Sequence, residues 1–351
     1  MPPGTAPGQT PWVRIFRKGD VGPEVSDIQE RLAALGGTLE GAELEEATFG
    51  PSTNEAVRAF QKKRRLRVDG MVGPDTWSQL VEAGYRLGDR SLYLRSSLFR
   101  GDDVRELQRK LNSLGFDAGK QDGLFGAKTA HAVREFQRNV GHEVDGIVGP
   151  GTVETLDRMR PLESGPGRAE VREREEMRHM RGSIEGQIIA IEMEPRSSEQ
   201  VATDIRVIAR ELALQLSSTG AKPVVLEDGE LASERAREAN AVGATICISM
   251  RRASGVDPGP TCSYFGGQTS HSPAGMLLAQ LILDEMAHAG EHRGKLQRLT
   301  QAMLRETRMP AVQVEPAPSS QSGDFDPAQV AASIVRGIRR FFSDEQVHPA
   351  P

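Results

Sequence analysis

The block AVRAFQ at 56–61 returns as AVREFQ at 132–137, and VDGMVGPDT at 68–76 returns as VDGIVGPGT at 144–152, both displaced by 76 residues. A third pair, IQERLAALG at 28–36 and LQRKLNSLG at 107–115, is displaced by 79, so the first copy is three residues longer between these blocks. Repetition over several blocks means that one small unit is built twice, and this constrains the first half of the chain more than any other feature.

Each copy reads as three short helices. Val25, Ile28, Leu32 and Leu35 recur at helical spacing before Gly36, as Val104, Leu107, Leu111 and Leu114 do before Gly115. Second helices bury Val57 and Phe60, or Val133 and Phe136; Asp69-Gly70 and Asp145-Gly146 are turn dipeptides. Gly73-Pro74 and Gly149-Pro150 open the last helices, where proline in the first turn costs no hydrogen bond. The copies occupy residues 18–84 and 85–160, behind a Pro/Gly-rich tail at 1–17; the second includes a spacer over 83–98 that is expected to pack the copies together. A linker and a connector helix with charges of both signs fill 161–185, and 345–351 is a second tail.

From Gln187 the pattern alternates. Strands are predicted at 187–192, 223–226, 244–250, 261–265 and 311–315, and helices at 199–218, 231–242, 273–289 and 326–342. This gives the fold class: two small three-helix all-α modules followed, over 186–344, by an α/β domain with a mainly parallel open sheet. Its pivot is Thr245-Ile246-Cys247-Ile248-Ser249-Met250, a buried strand running into Arg251-Arg252. In open α/β sheets ligands bind at the strands' carboxyl ends, so the chemistry is set there.

A net charge of −5 argues against bulk affinity for nucleic acid or anionic membrane. No stretch is apolar enough to span a bilayer, and the first residues lack the apolar core of a signal peptide, so the expected compartment is the cytoplasm, extending to the inner face of the membrane. Cys247 and Cys262, each in a predicted strand, read as reduced thiols.

The duplicated blocks resemble the peptidoglycan-binding module found beside many cell-wall hydrolases. The blocks ERAREANAVGATICIS and LRETRMPAVQVE resemble the zinc-dependent N-acetylmuramoyl-L-alanine amidases of the third amidase family, and the whole layout resembles the CwlM-like group of actinobacterial proteins. In the amidases a strand-end His is a metal ligand, and Arg251 stands at that position here. The first-ligand loop corresponds to a stretch ending Glu192-Met193-Glu194-Pro195, which has no His, and the second-ligand position falls near Val201, with Glu199 two residues off register. Only Glu315 stands where the family keeps its catalytic carboxylate.

Guanidinium cannot deprotonate to coordinate and repels a divalent ion. The expectation is therefore a pseudo-enzyme without zinc or other cofactor, with a vestigial pocket formed by Glu315, Arg251, Arg252, Glu194 and Val201. Two uses of that pocket stay open: an internal Arg251–Glu315 ion pair, or a site for a phosphate or muramyl carboxylate. The resemblance implies a regulator of cell-wall synthesis whose modules take a peptidoglycan fragment or lipid-linked precursor. It also implies a protein partner such as the enolpyruvyl transferase of precursor synthesis, and Ser/Thr kinase control, for which Ser319, Ser320 and Ser322 are available. The rival reading is an active amidase with relocated ligands, Glu194 or Glu199 with a distant His, and Glu315 as base. His271, His288 and His292 are candidates for that role and read as ordinary polar histidines. A third reading is a purely structural wall-binding protein.

Overall fold

The computed structural model describes residues 14–159, 168–180, 182–193, 199–226, 231–251, 259–267, 270–289, 294–316 and 326–343. The chain divides into two compact units, Met1–Arg86 and Leu87–Pro351.

The first unit holds module 1, with α1 (Pro23–Ala34), α2 (Gly41–Glu45), α3 (Pro51–Arg64) and α4 (Pro74–Glu82). The predicted apolar periodicity is its core: Val25, Ile28, Leu32, Val57 and Phe60 are buried around Phe49. The single-turn α2 is an addition to the three predicted helices, and it exists because the Glu43 carboxylate folds back under α3. Glu43 accepts hydrogen bonds from the Ser52 N–H (2.8 Å), the Thr53 N–H (2.9 Å) and the Thr53 hydroxyl (2.7 Å). Burial alone would raise the Glu43 pKa, but those donors outweigh it and hold the group at about 2. Phe16, placed in the N-terminal tail by sequence, is 2% exposed. Its backbone pairs with Val72 (3.1 and 2.8 Å), so module 1 begins earlier than its helical periodicity suggests.

Module 2 repeats this plan with α5 (Asp102–Ser113), α6 (Ala127–Val140) and α7 (Pro150–Arg158). Leu92 pairs with Val148 as Phe16 does with Val72, and it is buried in the module 2 core. The predicted spacer thus supplies the first bridged residue of module 2. In both modules a buried glutamine clamps the Asp-Gly turn: Gln61 Nε2 donates to Asp69 Oδ1 (2.8 Å) and Gln137 Nε2 to Asp145 Oδ1 (2.7 Å).

Next comes α8 (Arg168–Met180), the helix read as a solvated connector. Instead its Met177 and Met180 pack on the core of the α/β domain, and Arg172 pairs with Asp117 of module 2.

The α/β domain comprises β1 (Ile188–Met193), α9 (Glu199–Ser218), β2 (Lys222–Leu226), α10 (Ala232–Ala241), β3 (Ile246–Met250), β4 (Thr261–Phe265), α11 (Pro273–His288), β5 (Lys295–Leu299), α12 (Ala302–Glu306), β6 (Ala311–Glu315) and α13 (Pro327–Phe342). The six strands run in the order β2-β1-β3-β6-β4-β5, parallel except where β4 meets β6. Sequence reading missed β5 and α12: KLQRL carries no apolar run because it is a half-exposed edge strand, and α12 has only five residues. One sheet face presents Ile189, Ile191, Ile246, Ile248, Met250, Val312 and Val314 to α9, α11 and α13. Fully burying such a side chain contributes on the order of 2 kcal/mol. The opposite face carries Ala190, Cys247 and Ala311, covered by α10 and α12.

Within the second unit, module 2 is bonded to this covering layer. Arg100 donates to both Glu306 carboxylate oxygens (2.5 and 2.9 Å), and Lys120 Nζ donates to the Thr307 carbonyl (3.1 Å). Burial would raise the Glu306 pKa, but the Arg305 charge and then Arg100 outweigh it and hold it at about 2. Burial likewise pushes the Lys120 pKa down, against the nearby Glu173 and Asp122.

Candidate functional site

Side chains alternate along a strand, so the α10/α12 face receives Glu192 from β1, Ser249 from β3, Gln313 from β6 and Ser263 from β4. The register places these four side by side across four neighbouring strands: Glu192 opposite Ser249, Ser249 opposite Gln313, and Gln313 opposite Ser263. All four are buried. In β1, β3 and β6 the face is thus apolar at the amino end, with Ala190, Cys247 and Ala311, and polar toward the carboxyl end.

Glu192 stands at one end of the row, on β1. Arg235 of α10 donates through Nε to Glu192 Oε1 at 2.8 Å, and the Ser249 hydroxyl bonds Oε2. Arg235 is 3% exposed and Glu192 0%, so neither charge is solvated by water and each depends on the other. Asn240, further along α10, donates to the Glu306 carbonyl (2.9 Å) and accepts from the Arg308 N–H (2.8 Å). These bonds position α10 against β1 and α12 at both ends.

Of the residues expected in the vestigial pocket, Arg251 follows β3 and is 4% exposed, and its N–H donates to the Val314 carbonyl at 3.0 Å. Glu315 ends the neighbouring β6, half-buried, and accepts a 2.8 Å bond from Gln313 Nε2. The structure therefore brings Arg251 and Glu315 to adjacent strand ends. Arg252 and Glu194 lie outside the described residues, as does His292. Val201 is in the first turn of α9, and its side chain is outside the described set, like that of Glu199. His271 stacks edge-on against Tyr264, and His288 Nδ1 bonds the Asp284 carbonyl one turn back in its own helix. Neither approaches the strand ends through any of these contacts.

Zinc needs three neutral or anionic ligands converging on one point and an open fourth position. On this edge Glu192 is committed to Arg235 and Ser249, Glu315 to Gln313, and Arg251 places a permanent cation on the strand between them. Among the described residues no group of three or more His, Cys, Asp or Glu is placed to hold a metal. Among the described residues, the donors on this edge do not fit zinc. Nor is Cys247 a nucleophile, because burial and then the Glu192 charge push its thiol far above the usual range.

Sequence reasoning missed Glu192 and Arg235. The signal was present as an acid ending an otherwise apolar strand, IIAIEM, and an arginine in ERAREAN, but nothing in either segment says that they meet.

Residues 21–80 and 100–156 match the family described as "Putative peptidoglycan binding domain". Over 331 residues the chain is 35% identical to N-acetylmuramoyl-L-alanine amidase CwlM of Mycobacterium tuberculosis, covering 86% of this chain and 81% of that protein. It is 36% identical over 160 residues to N-acetylmuramoyl-L-alanine amidase CwlL of Bacillus licheniformis, covering 39% of this chain and 44% of that one. Among solved structures, the Ami1 amidase of Mycobacterium smegmatis aligns with a TM-score of 0.39 at 18% identity, over 46% of this chain and 99% of that one.

Proposed function

The chain belongs to the CwlM family of N-acetylmuramoyl-L-alanine amidases, with peptidoglycan-binding modules ahead of an amidase-fold domain, and from that premise we propose that it is a non-catalytic regulator of peptidoglycan synthesis. The observation that carries this reading is Arg251, a buried cation at the strand end between two carboxylates already held by other side chains. Hydrolysis of the muramyl amide by a metal-bound water needs a pocket that attracts a divalent ion, and a guanidinium there repels one.

In this reading the modules take a peptidoglycan fragment or lipid-linked precursor, and the α/β domain serves as a platform for a protein partner. An early enzyme of precursor synthesis, the enolpyruvyl transferase, is the partner favoured by kinship, with a Ser/Thr kinase pathway setting the state of the complex. Such a regulator works on the cytoplasmic side, up to the inner face of the membrane. Among the described residues no helix is long and apolar enough to cross a membrane.

The test measures zinc by mass spectrometry on full chain purified without chelator, together with release of stem peptide from muropeptide. Less than about a tenth of an equivalent of zinc and no release are expected. One zinc per chain with peptide release would establish the rival, an active amidase with relocated ligands.

A further inference from the structure

Helix α9 is 20 residues long, and over residues 205–218 it buries one side only. Ile205, Ile208, Ala209, Leu212 and Leu216 face the core, whereas the outer side carries Arg206, Val207, Arg210, Leu214 and Ser217, all exposed. Leu214 is 67% exposed and Val207 43%. Among the described residues, the side chains of Arg206 and Arg210 have no hydrogen-bond or ion-pair partner. Glu211, half-buried at the edge of this face, accepts a bond from its own helix, from Gln215 Nε2 at 2.8 Å.

The outer pattern is complementary to itself in the antiparallel sense. When two copies of the helix cross a two-fold axis between positions 210 and 211, Val207 meets the partner's Leu214 and Arg210 meets the partner's Glu211. Each contact then occurs twice, which is the mark of an isologous interface. We propose that the outer face of α9 is the site at which a second copy of this chain docks. The two apolar contacts form the centre and the Arg210–Glu211 pairs set the register.

A helix of this length extends about 30 Å, so one helix pair with its rim buries on the order of 1,000 Å² in total. That is the lower bound for a specific interface, and the dimer is accordingly a weak one, with Kd on the order of tens of micromolar. This inference does not depend on the proposed function, because α9 packs on the sheet face opposite the one that carries Glu192 and α10.

Sedimentation velocity on the full chain over a concentration series tests it, with circular dichroism to check folding. A concentration-dependent dimer is expected, and Leu214→Glu, at an exposed position, raises Kd by about tenfold or more. Arg210→Glu raises it as well, by opposing two acids, and the double variant Arg210→Glu/Glu211→Arg restores dimerisation because the pairing is reversed but intact. A single-chain mass at every concentration overturns the proposal. So does a dimer indifferent to Leu214→Glu, or a double variant no tighter than Arg210→Glu alone.

Discussion

Modules 1 and 2 share a core and a turn clamp, yet module 1 forms a compact unit by itself while module 2 is part of the unit that contains the α/β domain. The difference lies at equivalent positions. Arg100 and Lys120 of module 2 bond Glu306 and Thr307 of the α/β domain, whereas their counterparts in module 1 are Val21 and Leu44, 60% and 41% exposed. Where module 2 has Asp122-Gly123, with Gln108 Nε2 donating to Asp122 Oδ1 at 2.8 Å, module 1 has Glu46-Ala47. Both glutamines reach a threonine of the next helix, Gln29 to Thr53 Oγ1 at 2.9 Å and Gln108 to Thr129 Oγ1 at 3.2 Å, but in module 1 Glu43 supplies the carboxylate. Duplication thus preserved the packing and left the surfaces free to diverge, one toward an internal interface.

The largest test breaks that interface. Glu306→Gln leaves Arg100 and Arg305 facing a neutral amide, and it is expected to cost about 3 to 4 kcal/mol in urea unfolding of the second unit. Hydrogen exchange should then show residues 99–158 opening separately from the sheet. A cost below about 1 kcal/mol would mean that module 2 is held by something other than this pair. The acid dependence has a definite sign. Glu306 and Glu43 both fall from an ordinary 4.5 to about 2 on folding, so their stabilisation is complete above pH 4.5 and disappears as the pH falls toward 2.

A smaller effect separates the modules from within. Glu43→Ala removes three hydrogen bonds under α3 and is expected to destabilise module 1 by about 2 to 3 kcal/mol, read from exchange rates at residues 51–64, with module 2 unchanged. Loss of protection in both modules would contradict the independence of the first unit.

The smallest effect has opposite signs in the two copies. Ala47 holds φ +47°, a left-handed conformation that costs an L residue about 1 to 2 kcal/mol, so Ala47→Gly is expected to stabilise module 1 by up to about 1 kcal/mol. Its counterpart Gly123 sits at φ +77°, and a Cβ there would lie 3.0 Å from the Gly101 carbonyl. Gly123→Ala is therefore expected to destabilise module 2 by about 2 kcal/mol. Thermal melts of the two variants should move in opposite directions.

Much of this architecture was legible in the residues. The repeated blocks placed both modules, and Val25, Ile28 and Leu32 lie in the core where their spacing puts them. The strand beginning at Ile246 and the helices over 273–288 and 327–342 followed from apolar runs and periodicity. Phe16, Leu92 and the edge strand Lys295–Leu299 did not, because each is a short segment defined by its pairing partner rather than by a pattern of its own. At the candidate site the strand-end positions of Arg251 and Glu315 were readable, while the row from Glu192 to Ser263 depended on register.

The sequence by itself determined the duplicated modules, the alternating α/β half and the arginine that follows the strand ending at Met250, since each is written in contiguous residues. Only the tertiary structure decided that Arg235 neutralises Glu192 from 43 positions away, and that Arg100 holds Glu306 across 206. Periodicity reports which face of an element is buried, whereas the partner of a buried charge is chosen by how separate elements come together.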